Sequence, residues 1–203
     1  MKTAEWRQRH QRDVFVKQAR RDKYVSRAAY KLLEIAEKTR LFRWVNHTIL
    51  DLGAAPGGWS QVAAQLAPHA KIIAVDLLPM EPVKGVISLC GDLLENETWE
   101  RIDIHADGKP IDLILSDMSA NLSGVKAVDQ ARNQAIYELL LDIASTRLAT
   151  NGAMLCKLFS GEAEQSMRKA VAGLFAEHKI LKPAASRNRS AEIYLWAKTI
   201  ANR

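Results

Sequence analysis

The chain has 203 residues, 48% of them hydrophobic, and a net charge of +6. That is enough for one globular domain with little left over for a second, and it excludes a disordered chain. No apolar stretch approaches the roughly 18 residues of a membrane helix, and the start, Met-Lys-Thr-Ala-Glu-Trp-Arg, is too polar for a secretory leader, so a cytoplasmic, reducing compartment is expected.

The charge is unevenly placed. Residues 1–31 hold ten Lys and Arg against Glu5, Asp13 and Asp22, a net of +7, which leaves the remainder at −1. A basic arm on a near-neutral body is the footprint of a nucleic-acid binder, although a solvated helix face would carry the same charges. The arm is read as residues 1–25 and the folded domain as 26–203. From Ser26 to Phe42 the apolar positions 29, 32, 33 and 36 share one helical face, with Ser26 as N-cap. Strands are then expected at 47–52, 71–76, 86–90, 111–116, 153–159, 178–182 and 191–198. Helices are expected at 58–67, 93–104, 129–148 and 162–176. The runs Ile111–Leu115 and Ala153–Leu158 are continuously apolar, which suits strands covered on both faces. Alternating strands and helices predict a doubly wound, Rossmann-like α/β domain with a seven-stranded, mostly parallel sheet and helices on both faces. The last two strands are joined by the polar loop 183–190 and no helix, so they are expected to form an antiparallel hairpin at the sheet edge. Cys90 and Cys156 lie in apolar runs and read as free buried thiols. The histidines at 10, 47, 69, 105 and 178 show no ligand spacing, so no metal site is expected.

The strongest local signal is Asp51-Leu-Gly-Ala-Ala-Pro-Gly-Gly-Trp-Ser-Gln61. It reads as a strand end, a tight turn and a helix start, an arrangement that brings open backbone to a nucleotide-like ligand. Position 55 is Ala where a dinucleotide fingerprint needs Gly, and Trp59 follows Gly58 where a P-loop needs Lys. What remains, Asp-x-Gly-x-x-Pro-Gly-Gly, resembles the first motif of S-adenosylmethionine-dependent methyltransferases. Four acids fall at successive strand ends: Asp51, Asp76 (18 residues past Gly58), Asp92 and Asp117. Asp76 has the spacing of an acid that binds ribose hydroxyls, and Asp92 is placed to accept from an adenine amino group. Carboxylates suit a cationic sulfonium, whereas a pyrophosphate prefers a helix start free of nearby anions.

Lys157 lies inside Met-Leu-Cys-Lys-Leu-Phe. An ammonium there costs several kcal/mol unless it is paired or deprotonated. Glu192, in Ser-Ala-Glu-Ile-Tyr-Leu-Trp, also has apolar neighbours and needs a partner. Lys31 reads by itself as an ordinary exposed helix lysine.

Taken together, Ser26–Leu32, Asp51–Gln61, Asp76–Met80, Gly91–Leu93, Ser116–Met118, Cys156–Glu162 and Ser186–Tyr194 resemble the FtsJ-type (RrmJ-type) 2′-O-ribose methyltransferases of ribosomal RNA. The resemblance runs from about residue 21 to 198. It implies a Lys-Asp-Lys-Glu tetrad at Lys31, Asp117, Lys157 and Glu192. It implies S-adenosyl-L-methionine as cofactor, held by Gly57, Trp59, Asp76, Asp92 and Asp117, with Gly53 and Pro56 in the same turn. Its substrate is the large-subunit ribosomal RNA, at a uridine of the peptidyl-transferase A-loop, and a monomer is expected. Arg20, Arg21, Lys23, Arg27, Arg187 and Arg189 would then contact phosphates. One departure stands out: the family's Ala-Pro-Asn after the Asp-Met is Ser119-Ala120-Asn121 here, and losing the proline leaves that loop less fixed. Another RNA target, a small-molecule substrate and a non-catalytic assembly factor remain as alternatives.

Overall fold

The computed structural model describes residues 14–120, 123–186 and 190–200. Its strands are β1 (Thr48–Leu52), β2 (Lys71–Asp76), β3 (Val86–Cys90), β4 (Ile111–Ser116), β5 (Leu148–Phe159), β6 (Phe175–Leu181) and β7 (Glu192–Ile200). They form one sheet in the order β3-β2-β1-β4-β5-β7-β6. The pairs β1–β2, β1–β4, β2–β3 and β4–β5 are parallel, and β7 runs antiparallel to both β5 and β6. Its helices are α1 (Val14–Arg21), α2 (Ala28–Thr39), α3 (Gly58–Leu66), α4 (Asn96–His105), α5 (Lys126–Arg147) and α6 (Glu162–Leu174). Among the described residues no helix is long and apolar enough to cross a membrane.

The continuous apolar strand runs are buried because both faces are covered. Alternate residues point to opposite faces, and two separate cores result. Leu50, Leu52, Ile73, Ile114, Met154 and Leu158 pack under α4, α5 and α6. Ile49, Ile72, Leu113, Leu155, Tyr194 and Trp196 pack under α2 and α3. By the same alternation Lys157 and Phe159 belong to the α2 face, as do Glu192 and Tyr194 on β7.

The expected boundaries moved where tertiary pairing overruled local pattern. β5 begins at Leu148 rather than 153, with a register shift opposite β4 between Ile111 and Leu113. Residues 175 and 176, expected as helix, are strand, because Phe175 pairs with Ile200. α2 begins at Ala28 with Arg27 in the cap position. The Ser26 hydroxyl accepts the Ala28 N–H at 3.1 Å from just outside the helix. The helix stops at Thr39, since Arg40 turns left-handed at φ +54° while its N–H still bonds the Ala36 carbonyl. Cys90 is exposed rather than buried; Cys156 is buried as expected.

The glycine turn is built as a tight corner. Gly53 has φ +69°, and a Cβ there would lie 2.5 Å from the Met118 Cγ and 3.1 Å from its Cα. Gly57 takes φ +104° and caps α3. Gly58 leaves no room for a side chain, since a Cβ would meet the Ser26 hydroxyl at 2.7 Å. Gly53→Ala combines left-handed strain with a backbone clash and should cost roughly 2–4 kcal/mol. Thermal melts should show a fall of about 5–12 °C in Tm; an unchanged Tm contradicts this account of the corner.

Candidate active site

The carboxyl ends of β4 and β5 and the amino end of β7 bring together five side chains that the sequence separates by up to 163 positions. Lys31 reaches across from α2 and donates to both Glu192 carboxylate oxygens at 3.0 Å. It also donates to the Tyr194 hydroxyl at 3.1 Å. The Tyr194 hydroxyl donates to Asp117 Oδ1 at 3.2 Å. Lys157 then holds Asp117 twice, donating to its backbone carbonyl at 2.5 Å and lying 3.2 Å from its Oδ1. The result is one polar chain, Glu192–Lys31–Tyr194–Asp117–Lys157. Both lysine side chains are only 7% exposed. Lys31 is therefore a buried residue and not the solvent-facing helix lysine that its sequence context suggests.

Tyr194 had no distinguishing sequence signal, yet it bridges the two halves of the chain. Burial and the neighbouring charges of Asp117 and Glu192 push its pKa far above the usual phenol value. It stays protonated and acts as a donor.

Next to this cluster, between the ends of β1, β2 and β4 and the flank of α5, is a cavity of about 540 Å³. Leu77, Leu78, Ile136 and Leu139 give it apolar walls, and Asp76, Asp92 and Asp117 its polar groups. Asp76 is held by the Ala55 and Leu78 N–H groups, each at 2.9 Å on a different oxygen. Asp92 takes the Leu94 N–H at 3.0 Å. Each carboxylate keeps lone pairs for a ligand's hydroxyl or amino groups. No Lys or Arg is among the cavity's described lining residues. Three carboxylates without a cation fit an adenosine-like ligand that is cationic and carries no phosphate.

The other expected cofactor residues have different surroundings. Gly53 lines the cavity, whereas Gly57, Pro56 and Trp59 do not. Gly57 faces Val83 and Met80 of the β2–β3 loop. The Trp59 ring is a core group, 2% exposed, with its indole N–H donating to the Ala28 carbonyl at 3.0 Å and its ring 5.7 Å from Tyr194. Only the backbone of Trp59 is left for a ligand.

Asp51 is not at the cavity mouth either. It is fully buried and accepts the Ser60 hydroxyl at 2.6 Å on one oxygen; the other has no protein partner. Of the expected phosphate contacts, Arg20 and Arg27 line a second cleft that Lys31 and Glu192 also line. Arg21 is solvent-facing and paired with Asp22 at 2.9 Å. Lys23 is exposed at the α1–α2 turn. Residues 1–13, Arg187, Arg189 and Asn121 lie outside the described residues.

A model of FtsJ-like methyltransferases matches residues 24–200. The chain belongs to the FtsJ-like methyltransferase family. Relatives of this family named ribosomal RNA large subunit methyltransferase E include one from Marinobacter nauticus, 46% identical over 95% of this chain and 93% of its own length. Another, from Azoarcus sp., is 46% identical over 94% and 93%. A crystal structure of a putative ribosomal RNA methyltransferase from Plasmodium falciparum superposes with a TM-score of 0.78 at 28% identity, covering 89% of this chain and all of that one. A chain of the fibrillarin/Nop5p complex shares the fold alone, with a TM-score of 0.56 at 18% identity over 75% of this chain. Membership of this family implies a methyl donor as cofactor.

Burial, with smaller contributions from the Asp117 and Asp76 charges, pushes the Asp51 carboxyl up to about 7, and the Ser60 hydrogen bond opposes this. The neutral carboxyl is thus favoured in the fold. Its contribution to stability is complete below about pH 4 and is lost as the pH rises through 7. Asp51→Asn removes the titration. Between pH 5 and 8 the wild type should lose stability relative to the variant by on the order of a few kcal/mol, read from paired thermal melts. Equal pH slopes in the two proteins would overturn this.

Proposed function

We propose that the protein transfers a methyl group from S-adenosyl-L-methionine to a ribose 2′-hydroxyl of large-subunit ribosomal RNA, at a uridine of the A-loop. One observation carries this reading: the polar chain lies between two cavities. Asp117 lines the cavity with the three carboxylates, and Lys31 and Glu192 line the basic cleft. A group that spans both is placed for transfer between two ligands. Asp76, Asp92 and Asp117 would hold the cofactor, with Gly53 and the backbone of the Gly57–Trp59 corner beside them. When bound, that cofactor supplies an activated methyl on sulfur.

The protein's task is then to orient the hydroxyl for in-line attack and to remove one proton. Two of the three tetrahedral positions on Lys157 Nζ are committed to Asp117. The third is left for the 2′-oxygen. Lys157 steers that oxygen and accepts or helps discharge its proton. Asp117 fixes this amine and faces the methyl donor. Glu192 neutralises Lys31, and Tyr194 relays that placement to Asp117, so the two cations are held apart by an alternation of charge. Residues 1–25 act as an RNA-binding arm on the catalytic domain 26–203, with Arg20, Arg21, Lys23, Arg27, Arg187 and Arg189 on phosphates. The protein works as a monomer in the cytoplasm.

The decisive experiment is transfer of labelled methyl to isolated large subunits and to deproteinised RNA, with the modified position mapped. Lys157→Ala should reduce turnover by about 10²–10⁴-fold while the thermal shift produced by S-adenosylmethionine stays as in wild type. Wild-type turnover in that variant removes Lys157 from the mechanism. RNA affinity should fall linearly on logarithmic axes with salt, with a slope of about −0.7 to −0.9 for each phosphate neutralised. A flat salt profile contradicts the phosphate contacts.

A further inference from the structure

Near the amino ends of β4 and β5, at the other end of the sheet from the reacting groups, cations gather around two tryptophans. Trp44, in the α2–β1 loop, is 55% exposed. The Arg43 guanidinium lies 4.9 Å and the Lys198 Nζ 4.7 Å from its ring centroid. Lys179 on β6 lies 5.9 Å from the ring centroid of Trp196. Arg40, Trp44, Trp196 and Lys198 line one small cleft, together with Asp112.

This patch is rich in donors and short of acceptors. Among the described residues no carboxylate lies within ion-pair distance of Arg40, Arg43, Lys179 or Lys198, although Glu177 is the register partner of Lys198. The cleft's one described carboxylate, Asp112, is already held by the backbone N–H groups of Asn46, His47 and Thr48. The Trp196 indole N–H is buried and has no acceptor among the described residues. Buried polar groups are ordinarily satisfied, so an orphaned donor beneath four uncompensated cations points to an anion.

We infer that this patch is a second RNA contact, a phosphate clamp remote from the reacting groups. The inference takes its polyanion from the RNA substrate proposed above. Packing against the Trp44 ring restricts two long cationic side chains in advance, so less freedom is lost when a phosphate binds them. A phosphate oxygen, directly or through one water, is also the acceptor that Trp196 lacks. The position fits one continuous ligand. Trp196 and Lys198 alternate with Tyr194 on the α2 face of β7, and Lys198 stands opposite Ala153, about 13 Å along β5 from Lys157. The cleft with Arg20 and Arg27 and the tryptophan patch therefore share a face of the sheet, the target nucleotide at one end and flanking backbone at the other. Phosphate contacts carry no sequence information, so the patch adds affinity and register without reading bases.

The test measures binding of a domain-sized ribosomal RNA fragment containing the A-loop between about 50 and 200 mM salt. Arg43→Gln and Lys198→Gln should each make the slope of log affinity against log salt shallower by about 0.7–0.9, and the double variant by about twice that. Near 0.1 M salt the double variant should bind roughly 30-fold more weakly. Lys169→Gln, an equal loss of charge on α6 across the sheet, should leave the slope unchanged. Trp44→Ala removes no charge; it should weaken binding about threefold at an unchanged slope, and Trp44→Phe should stay near wild type. At saturating RNA all these variants should keep the wild-type kcat and the wild-type thermal shift with S-adenosylmethionine, while KM rises in the patch variants. Wild-type slopes in Arg43→Gln and Lys198→Gln overturn the clamp. An equal fall in Lys169→Gln also overturns it, by making the effect one of net charge. A loss seen with assembled large subunits and absent with deproteinised RNA overturns it in favour of a protein surface. Because binding is read without transfer, shallower slopes with no methylation sink the reaction and keep the clamp; methylation with unchanged slopes sinks the clamp and keeps the reaction.

Discussion

An ammonium loses several kcal/mol of hydration when it leaves water, and this chain buries two of them in one short polar chain. Lys31 and Lys157 are each 6% exposed, so each must find charge and hydrogen-bond partners in fixed places. Those partners come from elements far apart in sequence: Asp117 after β4, Glu192 and Tyr194 on β7. The antiparallel insertion of β7 between β5 and β6 is what makes this possible. It sets Tyr194 directly opposite Lys157, and Glu192 opposite Phe159. A further parallel strand in that place would present a different end to the cluster. α2 in turn must lie across the sheet at the height that lets Lys31 reach Glu192. Fold and chemistry meet in this requirement.

The two cavities on either side have opposite electrostatic characters. Carboxylates line the one assigned to the methyl donor, and arginines stand at the rim of the other. The sign of each suits its intended visitor, a cationic small molecule and a polyanionic chain. Asp51, buried near the end of β1, is kept from adding another negative charge by its own burial. Its carboxyl is pushed up to about 7, so at neutral pH it is only partly charged.

Much of this was legible in the sequence because it rests on local composition. Continuous apolar runs such as Ile111–Leu115 identified strands buried on both faces, and three of the four acids at strand ends, Asp76, Asp92 and Asp117, line one cavity. Lys157 stood out because its neighbours are apolar. Other features depended on partners that a linear pattern does not contain. The start of β6 at Phe175 is set by pairing with Ile200, against a helical pattern that runs past it. Lys31 looked ordinary because its burying surface, β7, lies more than 160 residues away. Tyr194 is an unremarkable strand tyrosine until Lys31 and Asp117 arrive on either side. Trp59 was read as part of the ligand pocket because it follows the glycines, whereas its ring fills the space under α2.

The Gln61 amide, in the first turn of α3, has a role that reaches beyond its own helix. Its Oε1 takes the Val25 N–H at 2.9 Å and its Nε2 donates to the Lys23 carbonyl at 3.2 Å. One turn on, Gln65 takes the Tyr24 hydroxyl, and Trp59 reaches the Ala28 carbonyl. The stretch that leads from the arm into α2 is thus stitched to the very helix that the glycine corner starts. The arm is not a detachable module. Exchanging residues 14–25 for those of an enzyme with another RNA preference would strand these amides and hydroxyls. The smallest exchangeable unit therefore runs from α1 through α3, with the glycine corner inside it. Changes in the arm and changes in the glycine corner are tied to travel together.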